Sequence, residues 1–164
     1  MIRKTLTVML IGLFFIQNAM ANGKQTADQK FEALANEYIA EYLKMNPESA
    51  TRLGEHKYDN QLNNYSLAGT KRERALSEKY LKELGKIPFE KLSRVNNIDA
   101  RIMRHNLESN LFQIDTLREY EWNPLVYNIG DAINDLISRD FAPLKDRLTN
   151  AKARLELIPN VVAA

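Results

Sequence analysis

Cysteine is absent from the 164-residue chain, and this absence removes several classes of function at once. Without thiols the protein can form no disulfide bond, no thiolate metal site and no cysteine nucleophile. The absence also excludes the lipid-anchored class of exported bacterial protein, because that anchor is attached to a cysteine just after the signal. Any stability or chemistry must therefore come from other side chains.

Histidine is scarce as well, since only His56 and His105 are present. A zinc site on a helix needs two histidines one turn apart and a glutamate beside the first. Neither histidine is followed by glutamate. His105 and Glu108 are one turn apart, but a two-metal carboxylate site needs several such pairs. We expect His105 to make an ordinary contact and His56 to be solvated, and the sequence predicts no catalytic residue, no cofactor-binding residue and no metal ligand in this chain.

An excess of charge of one sign is also lacking. The chain has 23 Lys and Arg against 21 Asp and Glu, and two of the basic residues, Arg3 and Lys4, lie in its first segment. Without them the side chains are balanced, and no basic run is present, so we expect no nucleic-acid partner. Ser66 and Ser109 lack the sequence context of an activated nucleophile, and no glycine-rich phosphate loop occurs.

Glycine and proline are few, at six and five residues, and no run of alternating apolar residues occurs. Apolar residues recur instead at intervals of three and four, which indicates helices. We expect the apolar side of each helix, such as Leu144, Leu148, Ala151 and Leu155 in the last one, to face the core. The sequence predicts an all-α fold of about six antiparallel helices with short connections. The predicted helix starts are Thr26, Asn46, Thr70, Asn97, Leu125 and Asp140. The predicted stops are Asn46-Pro47, Gly54, Gly85, Trp122-Asn123-Pro124 and Pro159.

The single tryptophan of the chain stands directly before an Asn-Pro break. Trp122 and Pro124 are interpreted as a structural anchor that fixes the angle between two helices, with the indole ring largely buried. The alternative is that Trp122 forms a platform for a ligand.

The first 21 residues have the layout of a secretory signal peptide. A basic start at Arg3 and Lys4 precedes an uncharged apolar stretch over residues 6–16, and Ala19 and Ala21 frame a small-x-small cleavage site. The apolar stretch is shorter than the ~20 residues that span a bilayer. We therefore expect cleavage after Ala21, export without a stable membrane anchor, and a periplasmic location if the source is Gram-negative. An uncleaved N-terminal anchor is the alternative.

Residues 22–164 are enough for one helical domain, which we expect to be incomplete at its C-terminal end. After Pro159 the chain has an apolar opening of another helix, with Asn160 as a candidate cap, and stops within about one turn.

Several strings, taken in order, resemble the amino-terminal part of the bacterial "domain of unknown function 885" family. They are FEALA at 31–35, EY at 37–38, NPESAT at 46–51, LG at 53–54, YD at 58–59, EWNPL at 121–125, DFAPL at 140–144 and RLELIP at 154–159.

The resemblance implies a longer, mostly helical and often exported protein. The later part of family members carries a zinc-peptidase-like histidine and glutamate motif, so members are regarded as candidate zinc metallohydrolases or peptidases. No position of this chain matches that motif, and zinc is expected only in a full-length relative. The implied role is structural, with these helices walling a cleft that the missing part of the same fold completes, and the chain alone is expected to be inactive. A self-standing exported binding or scaffold module is the alternative.

Overall fold

The computed structural model of the protein describes residues 25–163, and this range contains helices and no strand. This confirms the predicted all-α fold. Within the described range six helices have seven or more residues, in agreement with the predicted number of about six, and two are shorter. The signal peptide over residues 1–21, with Ala19 and Ala21, lies outside the described residues. The helices are α1 Ala27–Met45, α2 Pro47–Leu53, α3 Leu67–Leu84, α4 Arg94–Phe112, α5 Glu119–Trp122, α6 Gly130–Ser138, α7 Leu144–Glu156 and α8 Ile158–Val162.

Local signals define both ends of α1 as predicted. The Thr26 hydroxyl accepts a hydrogen bond from the backbone N–H of Gln29 at 3.1 Å, and the Gln29 side chain accepts from Thr26 N–H at 3.0 Å. This reciprocal pair is a capping box. The helix ends at Asn46 because Pro47 follows, and Gly54, with φ of 92°, ends α2 in the left-handed conformation that glycine adopts without strain.

The main hydrophobic core lies between α1, α3 and α4. Tyr80 is fully buried, and its ring meets the ring of Tyr38 edge-on with centroids 5.1 Å apart. Such a geometry is favourable for aromatic rings. The other buried members of this core are Phe31, Leu76, Leu84, Ile87, Ala100, Met103 and Leu107.

Two predicted helix starts are wrong because a serine nearer the N-terminus supplies the cap. Ser66, rather than Thr70, caps α3 by accepting a hydrogen bond from Gly69 N–H, and Ser93 caps α4 by accepting from Asn96 N–H. Asn97, the predicted cap, instead donates from its side chain to the carbonyl of Phe89 at 2.7 Å. The N-cap is the non-helical residue just before the helix, and its side-chain oxygen accepts a hydrogen bond from a backbone N–H of the first turn.

The long helix predicted to run as far as Trp122 stops earlier. After α4, residues Gln113–Leu117 form a π-helical turn, and Arg118 adopts the left-handed conformation with φ of 52°. This conformation is uncommon for a residue with a Cβ atom and it ends the helix. The next segment, Pro124–Tyr127, is a 3-10 turn, so α6 begins only at Gly130 rather than at Leu125.

The C-terminal helices also start elsewhere than predicted. Pro143, rather than Asp140, precedes the first residue of α7, and Pro159 lies in the first turn of α8 instead of breaking a helix. Proline is tolerated there because the first turn leaves its backbone N–H groups unpaired. No helix among residues 25–163 is both long enough and apolar enough to cross a membrane.

Candidate functional site

A buried arginine joins the C-terminal helices to the middle of the chain. Arg154, on α7, is 0% exposed. Its guanidinium donates to the carbonyl of Ala132 on α6 at 2.6 Å, and to the Pro47 carbonyl and Thr51 hydroxyl on α2 at 3.3 and 2.5 Å. Burying a charge is costly unless hydrogen bonds satisfy it. These contacts therefore hold α7 against α2 and α6.

The network continues from Arg154 towards the surface. The Thr51 hydroxyl donates to Asp59 Oδ1 at 2.6 Å, and Asp59 Oδ2 lies 3.0 Å from Nδ1 of His56. Asp59 is buried, whereas His56 is partly exposed. The imidazole ring stacks on Phe141 with centroids 3.8 Å apart. The expectation that His56 is simply solvated is wrong, because this residue, in the short 3-10 helix His56–Tyr58, packs against Phe141 in the segment before α7.

Electrostatics support a structural role for this network. Burial lowers the pKa of Arg154, while nearby carboxylates, that of Asp59 first, oppose the shift. An arginine side chain remains charged in any such environment. The hydroxyl of Thr51 has the hydrogen-bonding pattern of a relay, but Thr51 is 0% exposed, so no substrate can reach it. The arrangement stabilises the fold and lacks an accessible nucleophile.

A second arginine on the same face of α7 donates hydrogen bonds to backbone carbonyl groups at the ends of neighbouring segments. Nη1 of Arg147 donates to the carbonyls of Ile137 and Arg139 at 2.8 and 2.6 Å, and Nε donates to that of Ala142 at 2.7 Å. The last carbonyl groups of a helix have no partner within it. Arg147 thus caps the end of α6. The spacing of seven residues between Arg147 and Arg154, two helical turns, was the available sequence signal.

The two arginines correct the predicted orientation of α7. Of the four apolar residues expected to face inward, Ala151 is buried, but Leu144, Leu148 and Leu155 are 46–53% exposed. Arg147 and Arg154 are buried instead. The helix is rotated because the guanidinium groups find carbonyl and hydroxyl partners that leucine side chains would leave unpaired. We call Leu144, Leu148 and Leu155 the α7 apolar stripe.

Glu73, on α3, lies at the junction of three adjoining cavities with volumes of about 570, 530 and 210 Å³. Its side chain is half-buried. Burial raises the pKa of Glu73, and neither a hydrogen bond nor a neighbouring cation contributes to the shift. The largest cavity, which we call the α1–α3–α4 groove, is a cleft between these three helices with Leu53 of α2 at its edge. A half-buried carboxylate facing a cleft is a candidate binding group.

The predicted anchor residues lie at the surface. Trp122 is 65% exposed and Pro124 is also exposed, so the prediction that the indole ring is buried between two helices is wrong. The indole N–H donates to the carbonyl of Leu117 at 2.9 Å, which ties α5 to the preceding π-helical turn. Because the chain turns at Arg118, Trp122 lies in a four-residue helix rather than at the junction of two long ones.

His105 and Glu108 are exposed on α4, as expected for an ordinary surface contact. Residues 25–163 contain no group of three or more histidine, aspartate or glutamate side chains placed to hold a metal ion. His56 belongs to the Arg154 network, whereas His105 is an exposed residue of α4.

Comparisons with known proteins give two matches. A solved structure described as a "putative lipoprotein of unknown function" from Shewanella oneidensis is similar with a TM-score of 0.77 and 28% identity. The match covers 82% of this chain but only 24% of that one, so this chain corresponds to about a quarter of its relative. No curated protein matches. The family model for bacterial proteins of unknown function DUF885 matches residues 47–164. This chain therefore belongs to the DUF885 family of bacterial proteins.

Proposed function

We propose that this chain is the amino-terminal helical part of a longer exported bacterial hydrolase, and that it walls a cleft whose catalytic groups lie in the remaining part. The observation that carries the proposal is the α7 apolar stripe. Leu144, Leu148 and Leu155 are about half exposed on one side of a well-formed helix. Large contiguous apolar surfaces on soluble proteins mark interaction sites.

The relative from Shewanella oneidensis supports a partner within the same polypeptide. Its chain extends far beyond the part that matches, because the match covers only 24% of it. Further segments of such a chain are the natural cover for the stripe. The description of that relative as a "putative lipoprotein" also favours export of this chain. The attachment of a lipid does not transfer, since this sequence has no cysteine.

The hydrolase component of the proposal follows from the family resemblance of the sequence strings at 46–54, 121–125 and 154–159. A catalytic zinc site takes three protein ligands and keeps one position open for water. In this chain His56 is engaged with Asp59 and Phe141, and His105 lies on a separate surface of α4. The ligands would therefore come from the remaining part of a longer relative.

Fragment complementation tests the packing role. Residues 22–164 are co-produced with the unmatched part of the Shewanella oneidensis relative, and the two pieces are expected to co-purify as a one-to-one complex. Leu148→Asp should disrupt the complex, because it places a charge in the stripe. Thr149→Asp is the matched control, since Thr149 is exposed on α7 away from the stripe. Failure to associate, or equal association of both variants, would contradict the proposal.

A separate experiment tests the hydrolase component. Zinc titration by calorimetry and a peptide-cleavage assay are carried out on residues 22–164 and on the full-length relative. We expect zinc-dependent cleavage by the relative only. Tight zinc binding by residues 22–164 that is lost in His56→Ala or His105→Ala, together with cleavage, would show that this chain is an enzyme by itself. An inactive full-length relative would remove the hydrolase component and leave the packing role standing.

The alternative of a self-standing binding module is favoured by one observation. The core between α1, α3 and α4 is closed by its own residues, with Tyr80, Leu84 and Ala100 fully buried. This half of the domain thus holds its cleft in place without help from another chain.

A further inference from the structure

The α1–α3–α4 groove is separate from the Arg154 network and takes no part in holding α7. Its volume of about 570 Å³ lies within the range of small-molecule pockets. The walls combine apolar and polar groups. Tyr38, Tyr42 and Leu76 supply apolar and aromatic surface, and Asn106, Asn110 and Gln113 supply amides. Such a mixture fits a ligand with both a polar group and an apolar stem.

Charge identifies the polar group that the groove lacks. Glu73 is the acid in the lining of this cavity, and the two adjoining cavities share the same side chain. Burial raises the pKa of its carboxyl group. The lining of this groove contains no lysine or arginine, whereas the second cavity, which Glu73 also lines, includes Lys44 and Arg72. A carboxylate held partly out of water is costly unless a donor pairs with it. Within this groove a cationic donor is the group that would complement the carboxylate of Glu73.

Other ligand classes fit less well. A divalent cation would need several oxygen ligands from the protein, and the described residues provide no cluster of three acidic or histidine side chains. A neutral hydroxyl ligand would leave the charge of Glu73 uncompensated. The apolar rim, where Ile39 and Leu53 are 51% and 72% exposed, suits methylene groups rather than a strongly hydrated ion.

We infer that the α1–α3–α4 groove binds a primary ammonium group carried on an apolar stem, with Glu73 as its counter-ion. This inference goes beyond the proposed function, because it assigns a ligand site to the helices themselves. Two sources present this chemistry, namely free aliphatic diamines and the lysine side chains of peptides. The rings of Tyr38 and Tyr42 offer faces for the stem or for the cation itself.

Calorimetric titration of residues 22–164 tests the site with defined probes. The probes are 1,5-diaminopentane and an acetyl-Ala-Lys-Ala amide peptide, and the control is the same peptide with its lysine Nε-acetylated. Binding of the diamine alone identifies a free amine as the ligand, and binding of the lysine peptide identifies a peptide. Either result supports the inference when the acetylated peptide does not bind.

Two matched variants assign the binding to the carboxylate. Glu73→Gln keeps the shape and removes the charge, and we expect affinity to fall about tenfold or more. Glu83→Gln, on the same helix but outside the cavity lining and paired with Lys86 at 2.6 Å, should leave affinity unchanged. Glu73→Gln is expected to fold, since it removes an unpaired charge. Equal affinity of both variants, binding of the acetylated peptide, or no binding of either amine up to about 10 mM would overturn the inference.

Discussion

Replacing Arg154 with alanine tests whether the buried network holds the C-terminal helices in place. The guanidinium supplies a donor to two buried carbonyl oxygens, those of Ala132 and Pro47, and to the Thr51 hydroxyl. Each buried polar group that loses its partner costs about 1–3 kcal/mol. Breaking a buried charge network by removing one member typically costs about 3–5 kcal/mol. We expect Arg154→Ala to lower the free energy of unfolding by about 3–5 kcal/mol, a large part of the ~5–15 kcal/mol that a domain has.

The measurement is urea unfolding of residues 22–164 followed by far-ultraviolet circular dichroism. Arg101→Ala is the matched control, because Arg101 is exposed on α4 and its Nε donates to the side chain of Asn97 at 2.8 Å. This control should change the free energy of unfolding by no more than about 0.5 kcal/mol. Arg154→Lys should fall between the two, since a single ammonium group keeps the charge but cannot reproduce the planar guanidinium. A loss below about 1 kcal/mol for Arg154→Ala would refute a stabilising role for the network.

Three further predictions concern single residues. Trp122→Ala should cost less than about 1 kcal/mol in urea unfolding of residues 22–164, because the indole is 65% exposed; a loss above ~3 kcal/mol, typical of a core aromatic, would show that the ring is buried in solution. Burial raises the pKa of Glu73 above its ordinary value of 4.5, so the native state binds this proton more tightly than the unfolded chain. Its stabilising contribution is present below pH 4.5 and is lost as the pH rises through the native pKa. The free energy of unfolding of the wild-type protein should therefore rise relative to that of Glu73→Gln as the pH falls from neutral towards that value. A difference between the two proteins that does not change with pH would contradict this sign. Mass spectrometry of the exported product should find Asn22 at its start, whereas a mature protein that retains Met1 would contradict cleavage after Ala21.

The fold class and several helix ends could be predicted from the sequence because they depend on neighbours in the chain. The capping box at Thr26 and Gln29, the proline after Asn46 and the glycine at 54 act within one helical turn. These signals act through backbone groups of the same turn, so they can be read from the chain itself. Errors arose where two capping residues competed, as Ser66 did with Thr70, since the choice depends on where the preceding loop is held.

The candidate sites could not be predicted because they depend on contacts between distant segments. Arg154 and Thr51 are 103 positions apart, and the hydrogen bond between them exists only after α7 packs on α2. Glu73 stands three residues after the predicted helix start at Thr70, which is the position of a capping-box glutamate. Its half-buried position becomes visible only when α1, α3 and α4 enclose the groove. Neither relationship leaves a spacing in the sequence that a periodic pattern could reveal.

The sequence by itself determined that this protein is helical, where most of its helices lie and that it contains no thiol chemistry. These properties follow from local backbone preferences and from composition. Only the tertiary structure decided which side of α7 is buried, since the apolar spacing favoured Leu144, Leu148 and Leu155. The carbonyl groups of α2 and α6 outweighed that preference, because unpaired buried carbonyls cost more free energy than half-exposed leucines lose.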